Sequence, residues 1–573
     1  MGREDNFDAV VVGSGFGGSL AAWRLQHECP QARILVLERG MPYPPRSFAR
    51  TPREMRDSFW DPSSSLHGLF EVWSFEHVAA VVSSGLGGGS LIYASVLLEK
   101  PPQTFAADPS NGATAWPVGH DQLAGRYQQV KKMLGANQLP HTYRAASPAG
   151  TASVPKTEQF IAAAEAAGLT ETRLAELGVT FAAPGEQPAP GAALGSDNLH
   201  HRERRTCTLA GECDLGCNEG AKNTLDYTYL SDFKRRGGEI RTCAEAVGIA
   251  PRARGYRVRY LQHLRARTHV EARARADGKL REDRELLDPS AAAVREVSGT
   301  IIVLAAGTFG STRLLLMNRA ALLPLSDQLG FRFSSNGDLL TFARDCSSPG
   351  DRSARDLAPS RGPVITAYAQ GDELWMEDAG GPVLSAWGWQ VPELPGDLWA
   401  MRHDLLRIAL GRRRGRGRIG AALARMLGST RSSSAMLPML TMGRDIAGGR
   451  MRLEGESLSL DWDPDRESRE YFNHAQRTAA SVARQLGGKL GPRWLLARNR
   501  GLTVHPLGGC AMGADPSKGV VSPSGEVFGC PGLFVADGSV MPGPVGPNPS
   551  LTIAALADHI AQAAAGALKD SSG

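Results

Sequence analysis

The sequence predicts an α/β protein in which a Rossmann-like dinucleotide-binding domain is built from both ends of the chain, with a second domain interleaved. Three observations predict it. A strand-like run, a Gly-rich turn, a helical stretch and a second strand-like run ending in an acid open the chain between Phe7 and Glu38. A second Gly-rich stretch follows, Ser84-Gly85-Leu86-Gly87-Gly88-Gly89-Ser90-Leu91. Near the C-terminus an apolar run, Leu533 to Val535, is closed by Asp537-Gly538 and followed by a helical stretch from Ser550 to Ala565. At 573 residues the chain also exceeds what one hydrophobic core organises.

Each opening element has a physical task. Phe7 to Val12 is short, apolar and β-rich, and Gly13-Ser14-Gly15-Phe16-Gly17-Gly18 follows it as G-x-G-x-x-G. Gly13 permits the tight turn, Gly15 lets backbone approach a pyrophosphate, and Gly18 lets the helix from Ser19 to Gln26 pack on the strand. The start of that helix offers free N–H groups and the positive end of the helix dipole to phosphate. The second run, Arg33 to Leu37, ends in Glu38, a carboxylate suited to a ribose hydroxyl and lying 25 residues after Gly13, close to the usual spacing of about 20. This unit by itself does not separate FAD from NAD.

Composition narrows the class. The chain is 42% hydrophobic and 21% charged, as soluble globular proteins are. A net charge of +5 is too mild to point to nucleic acid. The N-terminus shows no basic segment followed by an apolar one, and no run of about 18 uncharged apolar residues occurs. A cytoplasmic chain without a membrane span is therefore expected.

Further motifs decide the cofactor. They are His505-Pro506-Leu507-Gly508-Gly509-Cys510, Gly532-Leu533-Phe534-Val535-Ala536-Asp537-Gly538-Ser539 and Asn548-Pro549-Ser550-Leu551-Thr552. Leu304-Ala305-Ala306-Gly307-Thr308, Ser335-Asn336-Gly337-Asp338 and Met442-Gly443-Arg444-Asp445 lie between them and the N-terminal unit. With these motifs in this order, the chain resembles the glucose–methanol–choline (GMC) oxidoreductases nearly end to end, and among them the cholesterol-oxidase-like branch. The resemblance implies FAD and an interleaved substrate-binding domain containing an antiparallel β-sheet. The FAD-binding domain is expected over 1–100, 201–345 and 496–573, and the substrate-binding domain over 101–200 and 346–495. Cofactor contacts are implied for Gly13, Gly15, Phe16, Gly17, Gly18, Glu38, Arg39, Gly85, Gly88, Ser90, Tyr93, Ala94, Val96, Val247, Ala306, Gly307, Val504, Asp537, Gly538, Pro549 and Ser550. Two positions depart from the steroid oxidases: Tyr93 stands where Asn is common and Ser95 where Gly is.

Catalysis is implied for His505 and Asn548. Oxidising an alcohol removes a hydride from carbon, which goes to flavin N5, and a proton from the hydroxyl. An imidazole titrates near neutrality and suits the proton. A neutral amide can donate to the oxygen as it gains negative charge. The expected substrate is a hydrophobic, sterol-like or polycyclic alcohol, with O₂ or an electron-acceptor protein or quinone taking the electrons onward. Two other readings fit the same motifs: a non-redox isomerase or lyase on this fold, and the flavin/Fe–S electron-transfer subunit of a dehydrogenase complex.

The last reading rests on Cys207, Cys213 and Cys217, spaced C-x5-C-x3-C. Three thiolates so close can converge on one inorganic centre. The spacing also resembles that of the flavin subunits of bacterial membrane glucose and fructose dehydrogenases, which implies a [3Fe–4S] cluster; buried or free thiols are the alternative. On the substrate side, Trp375, Trp387, Trp389 and Trp462 are candidates to wall a lipophilic pocket or to pack the core, and Glu377 and Glu393 are nearby carboxylates without an assigned role. Arg412, Arg413, Arg414, Arg416 and Arg418, flanked by Leu405, Leu406, Ile408, Leu410, Ile419, Leu423, Met426 and Leu427, read either as an anionic-membrane contact or as a solvated loop. Residues 269–296 read as an exposed hairpin insertion.

Overall fold

The computed structural model describes residues 5–108, 114–144, 154–263, 293–322, 324–348, 356–382, 434–491 and 501–572. Trp387, Trp389, Glu393, the arginine run 412–418 with its apolar flanks, and residues 269–292 lie outside them.

Strands Asn6–Val12 and Ile34–Leu37 are buried on both faces, which is why they read as unbroken apolar runs. They lie in a seven-stranded sheet. Its order is Glu239–Arg241, Ile34–Leu37, Asn6–Val12, Ala293–Leu304, Tyr256–Gln262, Ala244–Pro251, with Leu533–Val535 also pairing with Ala293–Leu304. The strands on the Asn6–Val12 side and Leu533–Val535 run parallel, and Tyr256–Gln262 returns antiparallel. Register aligns Val12 with Leu37 and Leu304, and Leu304 with Val535. Gly13, Glu38, Ala305 and Ala536 therefore leave the sheet at one edge, the carboxyl ends of parallel strands, where α/β sheets hold their ligands.

Helix Phe16–Glu28 packs on this sheet beside Ser550–Ser572, Arg24 reaches Asp558 across the contact at 2.7 Å, and Arg126 of helix His120–Met133 joins the same carboxylate. Thus the two chain ends form one unit. Among the described residues Ser550–Ser571 is the one helix long and apolar enough to cross a membrane, and 67% of its most apolar window is buried inside the molecule. The sequence predicts this helix over Ser550 to Ala565, and it runs on to Ser572.

A second sheet has six antiparallel strands in the order Lys489–Leu490, Leu339–Arg344, Leu437–Gly443, Leu374–Asp378, Ala367–Gly371, Glu171–Leu174. Leu339–Arg344 falls within the stretch 201–345 expected in the nucleotide domain, yet it pairs here. Helices Pro155–Ala166 and Arg469–Gln485 cover one face, where Leu374, Met376, Met439 and Ala343 join the core. Side chains alternate across a strand, so Glu377 points to the opposite face, with its cross-strand partner Leu440 and that residue's neighbour Leu340. A third, small sheet pairs Gly501–Thr503 with Val78–Ser83 and delivers His505 to the same space.

Candidate active site

Between the parallel edge of the first sheet and the open face of the second lies a cavity of about 1300 Å³. Its nucleotide side is lined by Gly13, Gly15, Phe16, Gly17, Glu38, Arg39, Gly88, Tyr93, Ala94, Val96, Ala306, Gly307, Asp537, Gly538, Pro549 and Ser550. Val504, His505 and Asn548 line it as well. Gly18, Gly85, Ser90 and Val247 stand outside the lining. A Cβ on Gly18 would meet Gly13 O at 1.9 Å, so its task is helix packing. The Ser90 hydroxyl is buried and bonded to Gly87 O and Leu225 N. Val247 sits at a β-bulge whose neighbours Ala244, Glu245 and Ala246 do line the cavity.

The nucleotide side fits FAD. Helix Phe16–Glu28 begins at Gly15 with no side-chain cap, leaving its first N–H groups directed at the cavity. A Cβ on Gly17 would strike Ala536 O at 1.8 Å, whereas one on Gly15 would meet nothing nearer than 3.8 Å: the first glycine is required by packing, the second keeps the loop's surface low. Glu38, raised by burial, accepts from Ser14 N (3.0 Å), Ser14 Oγ (2.5 Å) and Gly40 N (2.8 Å). Asp537 accepts from Gly307 N, Ser311 Oγ, Ser539 N and Ser539 Oγ and so ties its own turn to the start of helix Gly307–Met317.

His505 donates or accepts at Nδ1 with Asp338 Oδ1 at 2.8 Å. A carboxylate there holds the proton on Nδ1 in the neutral ring, so Nε2 carries a lone pair. The other oxygen, Oδ2, accepts from Thr503 Oγ1 (2.9 Å), Val504 N (2.8 Å) and His505 N (3.2 Å). Asp338 thus fixes both ring and backbone. Asn548 donates from Nδ2 to Glu377 Oε2 at 3.3 Å. Asn336, at φ +57°, clamps the preceding loop: its Oδ1 accepts from Val545 N and Gly546 N, and its Nδ2 donates to Gly546 O and Pro547 O.

Glu377 is buried, and burial pushes its carboxyl up to about 8; the Asn548 amide opposes this, while Asp378 and Asp338 add to it. Its Oε1 and the Asn548 Oδ1 are buried with no hydrogen-bond partner. Sequence reasoning quoted Asn336 and Asp338 inside a motif without giving either a role, and left Glu377 as a bystander. The signal available was their spacing: an Asn-Gly-Asp turn ahead of a strand, and an acid at an apolar strand position.

Cys207, Cys213 and Cys217 do come into one region, but they pack with Val179, Phe181 and Ile365 as apolar side chains. Burial pushes Cys213 up to about 11 and Cys207 upward as well. Among the described residues no group of three His, Cys, Asp or Glu side chains is arranged to hold a metal ion. The ammonium of Lys222, lowered by burial to about 8, donates to Leu91 O (2.8 Å), Tyr93 O (3.0 Å) and Cys213 O (2.5 Å), and so pins this loop to the cavity wall. Trp375 and Trp462 are core residues, 4% and 1% exposed.

Residues 448–557 match the family model described as GMC oxidoreductase. The chain is 28% identical to the cholesterol oxidase of Mycobacterium tuberculosis (strain ATCC 25618 / H37Rv), over 97% of this chain and 90% of that one. It is 26% identical to the paromamine 6'-oxidase of Streptomyces fradiae, over 99% and 93%. Among solved structures, pyridoxine 4-oxidase from Mesorbium loti superposes with a TM-score of 0.54 at 16% identity, covering 97% of this chain and 98% of that one.

Proposed function

From the premise that this chain belongs to the GMC oxidoreductases and is an oxidoreductase of CH–OH donors, we propose that it oxidises a hydrophobic alcohol at His505 and Asn548. One observation carries the reading: an imidazole oriented by a buried carboxylate and an amide held by a second one meet in the cavity that the Gly-rich nucleotide loops line.

FAD is the family's general cofactor, and Gly13–Gly17, Glu38, Arg39, Gly88, Tyr93, Ala94, Val96, Ala306–Gly307 and Asp537–Gly538 would hold it. When bound, it accepts the hydride from the carbinol carbon. His505 Nε2 accepts the hydroxyl proton, and Asp338 stabilises the imidazolium that results. Asn548 has two N–H groups; one goes to Glu377, and the second is left for the substrate oxygen as negative charge grows on it. Leu340, Phe342, Val364, Ile365, Pro438 and Leu440 make the opposite wall apolar and exclude water from the reacting carbon. O₂ or another acceptor takes the electrons onward.

The test is His505→Ala in the FAD-loaded protein. It retains flavin, and its alcohol-dependent flavin reduction falls by about 10²- to 10⁴-fold, the usual worth of positioned acid–base catalysis. Reduction at the native rate removes His505 from the chemistry.

A further inference from the structure

The loop that delivers Asn548 does not hold itself in place. Pro544, Val545, Gly546 and Pro547 are buried, and none of their backbone groups enters a backbone–backbone hydrogen bond among the described residues. Buried backbone groups must be partnered, and two distant side chains partner all of these. Asn336 Oδ1 accepts from Val545 N (2.9 Å) and Gly546 N (3.1 Å), and its Nδ2 donates to Gly546 O (3.3 Å) and Pro547 O (3.1 Å). The full hydrogen-bonding capacity of that amide is spent on this loop. Lys100 Nζ donates to the remaining carbonyls, Pro544 O (3.0 Å) and Val545 O (3.3 Å), and the two prolines have no N–H to satisfy.

Lys100 is 1% exposed, and its Nζ lies over the rings of Trp116 (4.5 Å) and Phe105 (5.3 Å). Burial pushes its ammonium well down, and Arg444 adds to this; the neutral amine keeps two protons, enough for the same two carbonyls. Asn336 belongs to the turn Ser334–Asp338, which Asp445 fixes by accepting from Ser334 Oγ, Ser335 N and Ser335 Oγ. The same turn carries Asp338, the partner of His505. The Asn548 amide has only a long side-chain tie, 3.3 Å to Glu377, so its direction follows from the loop before it. We infer that Lys100 and Asn336 are positioning residues of the reaction, which act through the Pro544–Pro547 loop to aim the Asn548 amide at the substrate oxygen. The inference rests on the alcohol-oxidising reading of the cavity.

The experiment is a double-mutant cycle, read by the limiting rate of anaerobic flavin reduction in the FAD-loaded protein with an alcohol that the native protein oxidises. Lys100→Met keeps a buried apolar stem, and Asn336→Gly accepts the native φ of +57° without strain; each is checked for native flavin content. Each lowers the rate by about 10- to 100-fold, the worth of a misplacement of about 1 Å. In Asn548→Ala protein the same substitutions change the rate by less than about 2-fold, because the group they aim is gone. A role confined to folding carries the full loss into both backgrounds, and that result overturns the inference, as does the absence of a loss in either. Each substitution carries the test alone if the other does not fold. If no alcohol reduces the native flavin, it is the oxidation reading that fails, and amide hydrogen exchange of the holoprotein then decides the clamp. Val545 and Gly546 should exchange slowly in the native protein and about 10-fold or more faster in the variants. Fast exchange already in the native protein, or no gain in the variants, overturns it.

Discussion

The two sides of the cavity treat their buried carboxylates in opposite ways. On the nucleotide side, Glu38 accepts three protein hydrogen bonds and Asp537 four. On the substrate side, Glu377 Oε1, Asn548 Oδ1 and Asp214 Oδ1 are buried and have none. Nearly all buried polar groups in native proteins are partnered. The carboxylates of the nucleotide wall therefore act as structural ties that hold loops together. On the substrate side the carboxylates keep unpartnered oxygen atoms close to the proposed catalytic pair.

The comparison can be broken first at the glycines. Gly17→Ala drives a Cβ into the Ala536 carbonyl, and the protein is expected to lose its fold and essentially all bound flavin. Gly15→Ala meets no atom nearer than 3.8 Å, so the apoprotein folds as before while FAD affinity drops by about 10-fold or more. Flavin absorbance per protein and thermal melts of the two variants check this, and equal behaviour would dissolve the distinction between packing and cradle.

A second break lies at Asp338. Asp338→Asn keeps a neutral isostere beside the ring but no longer selects the Nδ1–H tautomer or stabilises the imidazolium. The rate of flavin reduction is expected to fall by about 10²-fold with the fold intact. As a positioning residue, Asp338 should also shift the acid limb of the pH–rate profile, which a merely structural role would leave in place.

The smallest effect sharpens the substrate side. Glu377 is protonated in the folded protein at neutral pH because burial raises it to about 8. A raised carboxyl contributes stability that is complete below its unfolded value of about 4.5 and is lost as pH rises through about 8. Glu377→Gln removes that loss. Melting temperatures of native and variant holoprotein, compared across this window, should show the native protein falling more steeply; parallel slopes would mean that Glu377 ionises freely.

Much of this was legible in the sequence, for physical reasons. The strand–turn–helix–strand–acid unit is local, and each glycine in it answers one backbone constraint, so a single segment reveals it. His505 and Asn548 were singled out through their motifs, and both line the cavity, but the carboxylates bonded to them were not. Asp338 and Glu377 reach their partners across 167 and 171 residues, and no local pattern encodes such a contact. The cysteines show the same limit: their spacing permits convergence on a metal, and the apolar cluster that Cys207 and Cys213 join is a tertiary fact that no spacing encodes. The two sheets interleave in the chain, which is why Leu339–Arg344 was expected on the wrong side of a boundary.

The most direct test of the central claim is anaerobic mixing of the purified, FAD-loaded protein with a series of hydrophobic primary and secondary alcohols while the visible flavin band is followed. At least one alcohol should bleach the band within turnover time in the native protein and far more slowly in Asn548→Ala, with the corresponding aldehyde or ketone formed one for one with reduced flavin. A protein that folds without taking up flavin, or one whose bound flavin no alcohol bleaches, contradicts the account.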